Sequence, residues 1–270
     1  MDLGGPRGGV ANCDHPADAG AAGCINAAET GIVRPACSGV VPSVMDTIFR
    51  GDVATARGRA LAWVDALVID HAVFRLAWSN LGEGAPGRLY RSNHPLPGRL
   101  ARLVRRHGLR TLINLRGLTN PGSDALSRDA AARLGLDFVD MALESRGAPQ
   151  RDRILRLHDI YRDMRAPALL HCKSGADRAG IMSVFYMHFR RGQPIREALK
   201  QLSPRYLHTR AGKPGVLDYI FERYFSEAEP KGISFFDWTQ SDAYDPVKIK
   251  AEFKAHWLFT LLTEGVLRRE

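Results

Sequence analysis

Cysteine is scarce where a stapled fold would need it. Four cysteines occur in 270 residues, and Cys13, Cys24 and Cys37 all precede residue 40. Cys172 stands alone beyond them, which rules out a disulfide scaffold and predicts a reducing compartment, the cytoplasm. No uncharged apolar run reaches the roughly 18 residues that a membrane span requires. The amino terminus lacks the basic-then-apolar layout of a secretory signal. Zinc-finger spacings and the aromatic motifs of RNA-binding modules are missing too, so neither nucleic acid nor a metal or other cofactor is expected. Acidic residues are in deficit, 29 against 38 lysines and arginines, for a net charge of +9. A basic surface draws anionic partners, and phosphorylated proteins, inositol phosphates and acidic lipids all qualify.

What is present reads as an ordinary globular chain, 45% hydrophobic and 25% charged, long enough for one ample core with extensions. Residues 1–44 are rich in Gly, Ala and Pro and too poor in large apolar groups to offset their ordering entropy. They read as a disordered tail, or as leader sequence before a start at Met45. Residues 45–84 form an N-terminal helical extension. Within it, the mixed three- and four-residue spacing of Leu61, Val64, Leu67, Val68, Ala72, Leu76 and Trp78 predicts a helix over 55–78 packed on the core. Its tryptophans and basic flanks leave a peripheral membrane contact as the other reading.

From residue 85 to 228 strands and helices alternate. Gly87–Arg91, 109–115, 136–143 and 167–172 are the strands. Pro97 opens a helix that Gly108 closes, and further helices cover 122–134, 149–164, 181–189, 194–202 and 214–226. Such alternation implies an α/β fold, a mainly parallel sheet flanked by helices, with ligands beyond the carboxyl ends of the strands. Residues 229–270 form a C-terminal helical appendage in which Phe235, Phe236, Trp238 and Tyr244 serve packing and Asp245 caps a last helix.

The chemistry concentrates in His171-Cys172-Lys173-Ser174-Gly175-Ala176-Asp177-Arg178-Ala179-Gly180. An apolar run precedes this decapeptide and a longer one follows, so it forms the turn of a strand–loop–helix. Backbone N–H groups and a helix N-terminus converge there on one point, a ready anion site. The helix dipole and Arg178 favour the thiolate of a cysteine so placed, and such settings bring a thiol from about 8.5 to between about 3.5 and 7.5. Treating Cys172 as a small buried hydrophobe would leave the surrounding Gly, Lys and Arg unexplained.

With five residues between Cys172 and Arg178, and with His171, Gly175 and Gly180 around them, the stretch resembles the phosphate-binding loop of the cysteine-dependent protein tyrosine and dual-specificity phosphatases. Lys173 and Asp177 liken it to the bacterial and lipid-active branch. The resemblance spans about residues 85–225 and implies the three-layer dual-specificity phosphatase fold. It also implies hydrolysis of phosphoric monoesters through a phosphocysteine intermediate. Cys172 would be the nucleophile and Arg178 a planar fork on two phosphate oxygens. The amides from Lys173 through Ser174, Gly175, Ala176 and Asp177 to Arg178 would hold the remaining charge, and His171 would tune the thiolate.

The general acid stays open. The resembled enzymes usually draw an aspartate from a loop about thirty residues before the cysteine, and the corresponding stretch here, Glu144 to Ala148, has none. Glu144 and Asp177 are the two candidates, with the weight slightly on Asp177. Ala179 replaces the Ser or Thr that usually follows the arginine, which predicts slow breakdown of the phosphoenzyme. The expected partner is a phosphorylated protein, with phosphoinositides or inositol phosphates as the second reading. A silent phosphate-binding scaffold is the reading from another class; oligomeric state is left open.

Overall fold

The computed structural model describes residues 47–119, 121–144 and 146–254. The expectation for residues 1–44, and that for the end of the C-terminal appendage, lie outside them. In chain order the helices and strands are α1 (Ala56–Val64), α2 (Val73–Ala77), β1 (Gly82–Ala85), β2 (Leu89–Asn93), α3 (Pro97–His107), β3 (Thr111–Asn114) and α4 (Gly122–Arg133). There follow β4 (Asp137–Asp140), α5 (Arg151–Asp163), β5 (Ala168–Cys172), α6 (Asp177–Arg191), α7 (Ile195–Ala198), α8 (Val216–Glu227) and α9 (Phe235–Gln240).

The five strands lie in the order β1-β2-β5-β3-β4. All neighbours are parallel except β1, which runs antiparallel to β2. Strand β5 is therefore central, and every one of its residues is buried, as a strand covered on both faces must be. Its side chains alternate between layers. Ala168 and Leu170 join Leu89 and Ile113 in the larger core, with α5, α6, α8 and α9. Leu169 joins Tyr90 and Leu112 against α3 and α4. The outcome is the expected three-layer α/β arrangement, and it sets Cys172 at the carboxyl end of the middle strand.

Local chemistry sets the ends of these elements. Pro97 opens α3, and Gly108 closes it in the left-handed conformation, φ 62°. Asp245 accepts from the Val247 and Lys248 amides, capping the helical stretch 246–254. Phe235, Trp238, Tyr244 and Ile249 are buried with α5 and α6 in the larger core, so the aromatics of the C-terminal stretch do pack.

Two local expectations are corrected. Ser92 and Asn93, beyond the expected end of the strand at Arg91, extend β2 by pairing with His171 and Cys172 of β5. The continuous helix over 55–78 is broken: α1 passes into a π-helical turn at Asp65–Ile69, and His71 takes φ 58° before α2 begins. Its inward face is Ala62, Ala66 and Ala72, packed on Leu96 of the 94–96 turn and Leu126 of α4. Val64, Val68 and Leu76, expected on the core, are exposed. The π-turn stacks residues five apart, which shifts the face the periodicity pointed to.

Candidate functional site: a cysteine loop held from behind

The turn from β5 into α6 carries Cys172 at the strand's end and Arg178 in the helix's first turn. Cys172 is a free thiol, 2% exposed. Its Sγ accepts the Gly175 amide at 3.1 Å, the contact a sulfur anion seeks. The bend that brings this amide round needs φ +77° at Gly175, and a Cβ there would stand 2.6 Å from the Asn93 nitrogen. Only glycine meets both demands.

The loop's amides face inward because its carbonyls are held outward. The Lys173 carbonyl accepts the His94 amide at 3.4 Å, and the Ser174 carbonyl accepts Asn80 Nδ2 at 3.0 Å. Arg91 Nη2 donates to the carbonyls of Gly175 and Ala176, at 2.7 and 2.9 Å. Peptide planes so pinned turn their N–H groups toward the sulfur side, which is how a backbone anion cradle is made. Arg91 is fully buried and lies 4.0 Å over the Tyr206 ring. Burial brings its pKa down to about 10, against the opposing pull of Tyr206 and Cys172. It nevertheless stays a cation at neutral pH.

Arg178 donates to the Leu115 carbonyl at 3.3 Å, a long bond that leaves donors of its fork for a ligand. His171 lies fully buried below the loop, its ring 4.5 Å from that of His94. Burial, reinforced by Arg116 and Arg178, takes His171 down to about 3; His94 is lowered well below its usual range for the same reason. Both rings are neutral at physiological pH.

Beside the loop sits a buried carboxylate, Asp70, which sequence reading did not single out. It accepts from Arg75 at 2.7 Å, from Arg116 at 2.9 and 3.1 Å and from Ser123 at 2.7 Å. Lys173 Nζ stands 3.3 Å away. Burial alone would raise its pKa, but Arg116 and Arg75 hold it well below the usual carboxylate range. One anion thus gathers three cations at the mouth of the loop, leaving local positive charge.

The two candidate acids are placed differently. Asp177 begins α6, and its Oδ1 lies 2.8 Å from His208 Nδ1. The far nitrogen, Nε2, lies 2.8 Å from Asp218, which also accepts from Arg210 at 3.0 Å. Burial would neutralise His208, but its bonds to Asp177 and Asp218 outweigh that and raise it to about 9. An imidazolium therefore bridges two carboxylates behind the loop. Glu144 instead bears by its charge on the buried Tyr244 hydroxyl. Its Oε2 is buried with no hydrogen-bond partner among the described residues. Ala179 is fully buried in the first turn of α6.

His208, Asn80 and Arg91 carried no motif. Each lies far from the decapeptide in sequence and acts through a hydrogen bond that only the fold creates. The one available signal was weak: Arg91 and Asn93 are polar residues at the end of a strand that parallel pairing buries.

Residues 88–213 match the family model described as "DSP-PTPase phosphatase fused to NAD+ Kinase". No curated protein matches the chain. Among solved structures, TpbA of P. aeruginosa is 20% identical with a TM-score of 0.36, over 47% of this chain and 78% of its own. The core catalytic domain of the PP-IP phosphatase SIW14 from S. cerevisiae, in complex with citrate, is 15% identical with a TM-score of 0.44. That match covers 57% of this chain and 90% of that one. A parallel sheet whose central strand ends in a cysteine, an amide-lined loop and an arginine is the layout of the cysteine-dependent phosphatases. Over residues 88–213 the match is to the dual-specificity type of that family.

Proposed function

We propose that the chain hydrolyses phosphate monoesters through a phosphocysteine, acting first on phosphorylated proteins. The observation that carries this reading is the pinning of the carbonyls of residues 173–176 outward, which leaves the loop amides for an anion around the Cys172 sulfur. Sγ attacks phosphorus and the bond to the ester oxygen breaks, with Arg178 and the amides stabilising the equatorial oxygens. The leaving oxygen takes a proton from the Asp177–His208 pair, in which His208 holds a proton at neutral pH and lies against the Asp177 carboxylate. Water then attacks phosphorus and the P–S bond breaks; a proton of that water returns to the Asp177–His208 pair, giving inorganic phosphate and regenerating the thiolate. Glu144 is the other acid this reading admits. The buried sole cysteine of the described residues, a free thiol, fits a reducing compartment.

A second substrate reading, phosphoinositides or inositol phosphates, is favoured by the cations that Asp70 gathers beside the loop. Turnover of p-nitrophenyl phosphate by the wild type and by Cys172→Ser, with chelator present, tests the chemistry. The serine variant is expected to lose at least about 10³-fold in kcat; retained turnover sinks the proposal. Phosphotyrosyl peptides run against inositol phospholipids then separate the two substrate readings.

A further inference from the structure

Residues 64–77 are built inside out. Their charged side chains, Asp65, Asp70 and Arg75, are buried, at 0%, 1% and 4% exposure. Their exposed side chains are apolar apart from His71: Val64, Val68, Val73, Phe74, Leu76 and Ala77. Phe74 is 70% exposed and Val68 63%. The π-turn explains the inversion, since it brings Asp65 and Asp70, five residues apart, onto one face.

This orientation is fixed by hydrogen bonds. Asp65 accepts from the Thr47 hydroxyl at 2.8 Å, the Ile48 amide at 2.9 Å and the Gly122 amide at 2.6 Å. Asp70 holds Arg75, Arg116 and Ser123. Rolling the segment over to hide its valines would strip two buried carboxylates of every partner, which costs more than the apolar exposure it relieves. The apolar ridge is therefore a permanent feature of the surface, of the kind that marks an interaction site.

The charge around the ridge selects its partner. Exposed Asp52 and Glu83 bound the segment and offset Arg50 and Arg57, but α3, tied to it by Arg99 on the Arg75, Leu76 and Trp78 carbonyls, carries exposed Arg102, Arg105 and Arg106 and no acid. Trp63 and Trp78 lie half-buried along the same segment. An apolar crest with tryptophans and a basic helix beside it has the make-up of a segment that lies in a lipid interface. We propose that residues 64–77 dock this protein on the surface of an anionic lipid bilayer. Lys173 reaches Asp70 at 3.3 Å, so the docked segment is tied directly to the cysteine loop and holds the enzyme's site at the membrane-bound end of the molecule. That consequence rests on the phosphatase reading; the docking does not.

Co-sedimentation of the full chain with phosphatidylcholine vesicles, with and without phosphatidylserine, tests it. The wild type is expected to pellet with the phosphatidylserine vesicles and to be released by salt. Val68→Asp and Phe74→Asp are each expected to weaken partition about tenfold or more. Val247→Asp, at an apolar position 71% exposed outside the ridge, should leave partition unchanged, and none of the three should alter turnover of soluble p-nitrophenyl phosphate. A wild type that stays in the supernatant at low salt overturns the proposal, as do aspartate variants that bind like wild type. Sedimentation velocity in which Phe74→Asp splits a dimer, with no vesicle binding, would assign the ridge to a second copy and overturn it as well. A wild type without turnover would sink the phosphatase reading and leave the sedimentation result standing.

Discussion

The two faces of the 172–178 loop are made in opposite ways. Its inner face is contiguous: one sulfur, a run of amides and one guanidinium, supplied by consecutive residues at the end of β5 and the start of α6. Its outer face is assembled from distant segments: Asn80 ahead of β1, Arg91 within β2, His94 after it and His208 ahead of α8. The inner face presents donors; the outer face consumes carbonyls and a carboxylate. The chemistry of the inner face therefore depends on groups behind it, of which Asn80, Arg91 and His94 act only by holding the loop.

If the faces divide the work this way, substitutions inside should abolish chemistry while sparing stability, and substitutions outside should lower both. Arg178→Lys gives the largest effect. It keeps the charge but replaces a planar fork by a point donor, and kcat should fall by about 10²–10³-fold, with the denaturation midpoint nearly unchanged. Arg91→Met comes next. It leaves the Gly175 carbonyl without a partner and the Ala176 carbonyl with the Gly180 amide alone, at about 1–3 kcal/mol for an unsatisfied group, partly offset because Arg91 is a cation in an apolar site. A net loss of about 2 kcal/mol and a kcat roughly tenfold lower are expected. Urea titration with p-nitrophenyl phosphate kinetics checks both numbers. A folded Arg91→Met enzyme with wild-type kcat would show that the outer face is scaffolding alone.

The same division explains what was legible in the sequence. The inner face was, because a glycine-containing turn, a cysteine and an arginine at fixed spacing carry their chemistry locally. The central strand and the helices from α3 to α6 were as well, since Pro97, Gly108 and the apolar runs around residues 111 and 168 mark them. The outer face was not. Arg91 and Asn80 look like surface residues until parallel pairing buries the end of β2 and a positive φ turns Asn80 inward. The inverted segment 64–77 misled for a related reason: regular helical spacing assigns its valines to the core, and one π-turn moves them out.

Asn80 offers a finer test of the outer face. Its side chain serves the Ser174 and Tyr206 carbonyls, both at 3.0 Å, from a backbone at φ 45°. Asn80→Ala removes both bonds and puts a Cβ residue less suited to that conformation there, costing about 2 kcal/mol. Asn80→Gly removes the bonds without the backbone penalty and should recover about 1 kcal/mol. A glycine variant as stable and active as wild type would show that the backbone, not the amide, matters at this position.

A last test is a pH dependence, and its sign separates the outer face from the histidines beneath the loop. His208 is raised to about 9 by Asp177 and Asp218 against its burial, while an unfolded histidine titrates near 6.5. The folded state therefore binds the proton more tightly. This contribution, on the order of 3 kcal/mol, is fully present below about pH 6.5 and is lost as pH rises through about 9. His171, lowered to about 3, works in the other direction: below about pH 6.5 the unfolded chain takes up a proton that the folded chain refuses, so stability falls with acid. His208→Gln should flatten the alkaline limb of a plot of unfolding free energy against pH and leave the acid limb in place. An unaltered alkaline limb in that variant would mean that the Asp177–His208–Asp218 bridge does not hold the helix end of the loop.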